Sequence, residues 1–181
     1  MEYEVLKDFQ KVANVPKEVI SEYDGRLPKD IIELWNEYGF GSFLNGYLKV
    51  INPHDYDHIV KESYFDADKG IPVMVTGLGD VITYEEGYMV GIFYRYSDSS
   101  VLKKGTELFF RDLMDEWYVN NKIKNQQYTK AVVKYGLLGY DECFGYVPLL
   151  GMGGKERVEN LQKVKIKEHI ELITQMVGRI E

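Results

Sequence analysis

The residues whose types could do chemistry are few. They are His54 and His58, Cys143, the adjacent carboxylates Glu85-Glu86 and Asp141-Glu142, and two glycine-rich loops, Gly77-Leu78-Gly79 and Gly151-Met152-Gly153-Gly154-Lys155. His54 and His58 are four residues apart, so one face of a helix could present both to a metal ion. A metal site needs further ligands. Asp55 and Asp57 are near in sequence, but side chains one or two positions apart on a helix point away from each other. The HExxH pattern is absent. Cys143 would need a nearby histidine or a helix N-terminus to become a thiolate nucleophile, and it has carboxylates beside it instead, which push a thiol pKa up. It reads as a structural cysteine. The glycine loops match neither GxxxxGK[ST] nor a GxGxxG that opens a helix after a strand, so they read as turns. The carboxylate pairs could act as acid and base only if they converged in a cleft. In loops they are solvated, or they meet a basic partner.

No constellation supports catalysis, so a binding protein is favoured over an enzyme, with no catalytic residue, cofactor or metal assigned. A small-ligand-binding or regulatory module using the glycine loops is the alternative, and a hydrolase built on Cys143 or the carboxylates stands third.

The elements that must position these residues follow from apolar spacing. Val5, Leu6, Phe9, Val12 and Ala13 recur at helical spacing and predict a first helix. Pro16 starts a second, which Gly25 ends. The clearest segment is 27–53. Pro28 suits a first helical turn, Ile31, Leu34, Trp35 and Tyr38 form an apolar stripe, and Gly39 stops the helix. Gly41 and Gly46 then permit turns before a strand over 47–51. A helix is expected over 55–63 and a strand over 71–76. Two further strands, 81–84 and 88–96, flank a hairpin turn at Glu85-Glu86-Gly87. Both alternating sets of the longer strand contain apolar residues, so its sheet is expected to be covered on both faces. A polar break at 97–100 is the expected lobe boundary. After it come a helix over 106–118 with Phe109, Leu113 and Trp117 on one face, a helix over 128–135, a strand near 163–166 and a last helix carrying Ile166, Ile170, Ile173 and Val177. Helices, then strands, then helices predict an α+β fold: an antiparallel sheet flanked by helices, in two closely packed lobes, 1–100 and 101–181.

Composition limits the partners. The chain of 181 residues carries 22 basic and 29 acidic residues, a net charge of −7. Direct nucleic-acid binding is disfavoured, because phosphate neutralisation dominates that affinity. Attraction to anionic lipid is disfavoured for the same reason. Residues 1–100 hold 9 basic and 18 acidic groups and residues 101–181 hold 13 and 11, so the first half is the acidic half. Such a face steers basic proteins. The 15 tyrosines suit half-buried and interfacial positions. A single cysteine, an acidic start without the basic and apolar runs of a signal peptide, and no apolar stretch near membrane-spanning length predict a cytoplasmic protein.

The run 27–53 resembles the GAD-like domain family, with its LPxxLxxFWxxxGxGxFxxGYLxLxxP type of pattern. Leu27, Pro28, Trp35, Gly39, Gly41, Phe43, Gly46, Tyr47, Leu48 and Pro53 carry the likeness. Ile71, Pro72, Thr76, Gly79 and Asp80 resemble the IPxxxTxxGD segment that follows. Tyr135-Gly136-Leu137-Leu138, with residues 141–148, is similar to the YGxLxxDExFGFxPAL signature of a companion domain, the type VI secretion immunity protein C-terminal domain. Gly153-Gly154 and the strand and helix over 164–177 complete it. Lys49 and Cys143 stand where the pattern has apolar or variable residues, so no function is hung on them.

The resemblance implies a non-enzymatic bacterial immunity protein. Such proteins bind and neutralise a cognate secreted toxin, in the best-known case a DNase, by stoichiometric occlusion. Its partner would be that protein toxin, basic if it is DNase-like. Asp80, Glu85, Glu86, Asp141 and Glu142 are the candidate contacts.

Overall fold

The structure, a computed structural model, describes residues 3–181. Seven strands form one antiparallel sheet in strict sequence order: β1 (Gln10–Ala13), β2 (Phe40–Phe43), β3 (Leu48–Val50), β4 (Gly70–Thr76), β5 (Val81–Glu85), β6 (Tyr88–Phe93) and β7 (Asp98–Lys104). A second, two-stranded sheet pairs β8 (Glu142–Tyr146) with β9 (Leu161–Lys165). The helices are α1 (Lys17–Tyr23), α2 (Lys29–Glu37), α3 (Asp57–Ser63), α4 (Thr106–Asp112), α5 (Glu116–Asn121), α6 (Gln126–Tyr135) and α7 (Ile166–Val177). This is the α+β architecture expected from the sequence, with helices on both faces of the large sheet.

Side chains alternate across a strand, so each face of the sheet builds its own core. Met74, Ile82, Met89 and Phe93 pack with Trp35 of α2, Phe109 and Phe110 of α4 and Tyr128 of α6. On the opposite face Val75, Val81 and Ile92 lie with Ile59 and Val60 of α3 and with Ile166, Ile170 and Ile173 of α7. Strand β8 joins both: Phe144 belongs to the first cluster and Cys143 to the second.

Local rules account for the clearest elements. In α2, Pro28 precedes the first turn, Ile31, Leu34 and Trp35 are buried, and Gly39 leaves the helix at φ +82°. The β5–β6 hairpin has a two-residue turn, Glu86 and Gly87, both at positive φ, which matches the twist of the strands.

Four expectations are corrected. Residues 5–13 are not one helix: a single 3-10 turn at Glu4–Leu6 is followed by strand β1. The Asp8 carboxylate accepts backbone N–H groups of Leu44 and Asn45 at 3.0 and 2.6 Å, which turns the chain into register with β2. Gly41, read as a turn glycine, lies within β2, where a side chain would strike the Gln10 carbonyl and the Phe9 ring. The polar stretch 97–100 is no break. Residues 98–100 begin edge strand β7, where hydroxyl side chains are tolerated because the strand is only partly covered. A module boundary at 100/101 would cut through that strand. The helix over 106–118 is two helices. Asp115 caps α5 by accepting the Tyr118 N–H at 3.1 Å, and the corner rotates Trp117 away from buried Phe109 and Leu113 to 63% exposure.

Candidate partner-binding surface

The five sequence-predicted contacts do not form one site. Asp80 is fully buried, and Glu85 is nearly so. Both are corrected, since neither can reach a partner across the intact surface. Asp80 follows the Gly77-Leu78-Gly79 turn, and its backbone N–H and carboxylate both meet the Thr76 hydroxyl. The carboxylate lies 3.1 Å from Arg95, itself buried in the 3-10 turn Tyr94–Tyr96 that ends the strand expected over 88–96 at Phe93. Burial pushes the Asp80 carboxyl up to about 6, against the pull of Arg95 and Lys124. Arg95 also donates to the Lys124 carbonyl at 2.8 Å. Glu85 accepts the Thr83 hydroxyl at 2.6 Å, and burial raises its carboxyl pKa.

Glu86 is exposed at the hairpin tip. Asp141 is exposed and pairs with Lys165 at 2.6 Å, which holds its carboxyl below the usual range. Glu142 is half-buried and accepts the Gly139 N–H at 2.8 Å. The 139–142 turn is anchored from inside by Lys49. Its buried ammonium donates to the carbonyls of Gly139, at 2.8 Å, and of Glu142. Burial lowers its pKa to about 8. Lys49 therefore ties β3 to the loop before β8.

The other chemistry-bearing residues are similarly placed. Cys143 is fully buried and burial pushes its thiol up to about 12, so it is no nucleophile. His54 reaches Glu22 at 2.9 Å and His58 reaches Glu171 at 3.9 Å, so the two histidines engage different carboxylates. They line an open cleft of about 630 Å³ with Glu22, Arg26, Asp57 and Lys61. Among the described residues no group of three or more His, Cys, Asp or Glu side chains could hold a metal ion. The Gly77-Leu78-Gly79 turn is packed under the C-terminal part. A side chain at 77 would enter the Tyr128 ring, and the Gly77 carbonyl accepts the Phe144 N–H at 2.8 Å. That loop is closed to a phosphate. The loop at 151–155 is exposed.

A third histidine, not singled out by sequence reasoning, lies inside. His169 of α7 is buried against Gly145, beside Tyr94, Arg95 and Tyr146, and burial lowers its pKa to about 4. The unfolded chain therefore takes up this proton first. Stability that is present above pH 6.5 is lost as pH falls through the folded pKa near 4. Asp80 acts in the opposite direction: its raised pKa contributes stability at low pH that is lost as pH rises toward 6. The two are separated by difference. Urea denaturation of wild type and His169→Gln between pH 7 and 4 is expected to show wild type losing about 3 kcal/mol more than the variant. Parallel curves would refute the assignment.

The exposed apolar side chains are the remaining surface feature. Trp117, Met114 and Leu108 are exposed on and between α4 and α5. Val133 of α6 and Leu137 after it are exposed as well. No helix is long and apolar enough to cross a membrane among the described residues.

Comparison with known proteins adds the following. The model of the GAD-like domain matches residues 3–93. The model described as T6SS immunity protein Tdi1, C-terminal, matches residues 103–177. Among curated proteins none matches. The fold is similar to that in the crystal structure of Atu4351 from Agrobacterium tumefaciens, with a TM-score of 0.73 over 97% of this chain and 89% of that one, at 18% identity.

Proposed function

Because the chain belongs to the GAD-like domain family and its second half matches the T6SS immunity protein Tdi1 C-terminal family, we propose that it is an immunity protein that binds and neutralises one secreted toxin. The match over residues 103–177 carries this reading. The mechanism is occlusion by a stoichiometric complex, without catalysis and without a cofactor. The toxin is cytoplasmic in its action, and so is this protein. The net charge of −7 suits a basic, DNase-like toxin, whose nucleic-acid-binding face an acidic inhibitor would approach quickly and cover. Of the carboxylates, Glu86, Asp141 and Glu142 keep the exposure that a contact needs.

The test has two parts. Cells that produce the toxin encoded beside this gene should survive only when this chain is co-produced. The purified pair should form a one-to-one complex, on the order of nanomolar or tighter. A toxin that neither binds nor becomes harmless ends the proposal.

A further inference from the structure

A small polar cavity lies where the large sheet meets the C-terminal part. Arg95 comes to it from the 3-10 turn that follows β6, Tyr146 from the end of β8 and His169 from α7. All three side chains line one cavity of about 10 Å³, together with the apolar Leu149, Ile173 and Val177. Each is more than nine-tenths buried: Arg95 is 6% exposed, His169 5% and Tyr146 2%. Space of that size admits about one water molecule.

These groups carry hydrogen-bonding capacity that the protein itself does not use. Arg95 spends its Nη2 on the Asp80 carboxylate at 3.1 Å and on the Lys124 carbonyl at 2.8 Å. Its Nε and Nη1 donate to no protein atom, and the Tyr146 hydroxyl has no protein partner either. A buried donor in that state carries its full desolvation cost, and folded proteins almost always supply it with a partner. Trp35 Nε1 and Asn125 Oδ1 also lack partners, but neither residue lines this cavity. Arg95 and Tyr146 are close enough for the guanidinium to act on the phenol. Burial lowers the His169 pKa to about 4, so at neutral pH the ring is uncharged and one of its nitrogens is a bare acceptor. Two donors and an acceptor therefore border the same small space.

Charge decides what fits there. The Asp80 carboxylate already balances the Arg95 guanidinium. An anion in the cavity would add a buried charge with nothing left to compensate it, and a cation would meet the guanidinium. Water is neutral, accepts from two donors and donates to an acceptor. Three hydrogen bonds are what a buried water typically makes.

We propose that one internal water molecule is a built-in part of this fold, accepting hydrogen bonds from Arg95 and Tyr146 and donating one to His169. It bridges the turn after β6, strand β8 and helix α7. The C-terminal part is thereby tied to the large sheet through a contact that Arg95 and Tyr146 do not make directly.

The test uses the full chain. A crystal structure at a resolution that shows ordered solvent should place a fully occupied water within about 2.7–3.2 Å of Arg95, Tyr146 and His169. Crystals soaked in bromide should show no anomalous peak at that point. In solution, magnetic relaxation dispersion of the water signal counts molecules held inside for longer than the protein tumbles. Tyr146→Phe combined with His169→Phe keeps both rings and removes two of the three partners, and is expected to hold one such water fewer than wild type. Far-UV circular dichroism and a cooperative melt check that the variant is folded, and should it fail to fold, the wild-type crystal decides alone. No density between the three side chains, an anomalous bromide peak in its place, or an unchanged water count in the folded variant overturns the proposal.

Discussion

Arg95→Met is expected to destabilise the protein by about 3–5 kcal/mol, the cost of leaving one member of a buried ion pair without the other. Asp80 is wholly inaccessible and Arg95 nearly so. Their contact is 3.1 Å, and the Asp80 Oδ1 and the Arg95 Nε and Nη1 have no further hydrogen-bond partner within the protein. The pair is therefore not a strong net stabiliser, since desolvating two charges costs several kcal/mol and, of the protein groups, only their single mutual contact, the Thr76 hydroxyl and the Lys124 carbonyl offset it. Removing one charge is the damaging change. The substitution also orphans the Lys124 carbonyl, which Arg95 holds at 2.8 Å, and so loosens the turn between α5 and α6. The double variant Arg95→Met with Asp80→Leu removes both charges and is expected to regain most of the loss. Urea denaturation of the three proteins at pH 7 makes the comparison. A single variant within 1 kcal/mol of wild type, or a double variant worse than the single by the full amount again, contradicts this account of the pair.

Phe144→Ala is the second large effect, at about 3–5 kcal/mol for a fully buried ring whose cavity the neighbours cannot refill. Phe144 lies 5.9 Å from the Tyr128 ring and 6.2 Å from the Tyr135 ring. Its N–H meets the Gly77 carbonyl of the β4–β5 turn at 2.8 Å. Gly77 lies within the GAD-like match and Phe144 within the C-terminal match. The ring belongs to the same cluster as Trp35, so the two matched segments share a core. A shared core couples their unfolding. Wild type and Phe144→Ala should each melt in one transition, the same by far-UV circular dichroism and by tryptophan fluorescence. Two separated transitions, with Phe144→Ala moving only one of them, would mean that the segments fold independently.

What was legible in the sequence was local. Pro28, the stripe of Ile31, Leu34 and Trp35, and Gly39 describe α2 because propensity, amphipathic period and glycine stop all agree within twelve residues. The Glu86-Gly87 turn is readable for the same reason: a two-residue loop between strands needs positive φ. The covering of the sheet on both faces also followed, since both alternating sets of the strand that became β6 contain apolar residues. The errors arose where long-range pairing overrode local period. Val5, Leu6 and Phe9 have helical spacing, but pairing with β2 draws residues 10–13 into a strand. Ser99 and Ser100 look like a linker until β6 supplies their partners, Ile92 and Gly91.

The candidate site was less legible than the fold. Asp80, Glu85, Glu86, Asp141 and Glu142 are alike on paper, five acidic residues near glycines. Packing divides them, because the buried Arg95 and the Thr83 hydroxyl give the first two an interior role. Trp117 went the other way. Its spacing from Phe109 and Leu113 is that of a core residue, and only the Asp115 cap, by ending one helix and starting another, turns it outward.

The sequence by itself determined the family, the α+β class and the acidic balance, since these depend on residue type and near neighbours. Only the tertiary structure decided which carboxylates meet water and which aromatic rings stay exposed. Burial depends on what the rest of the chain lays over a residue, and that covering comes from segments far away along it.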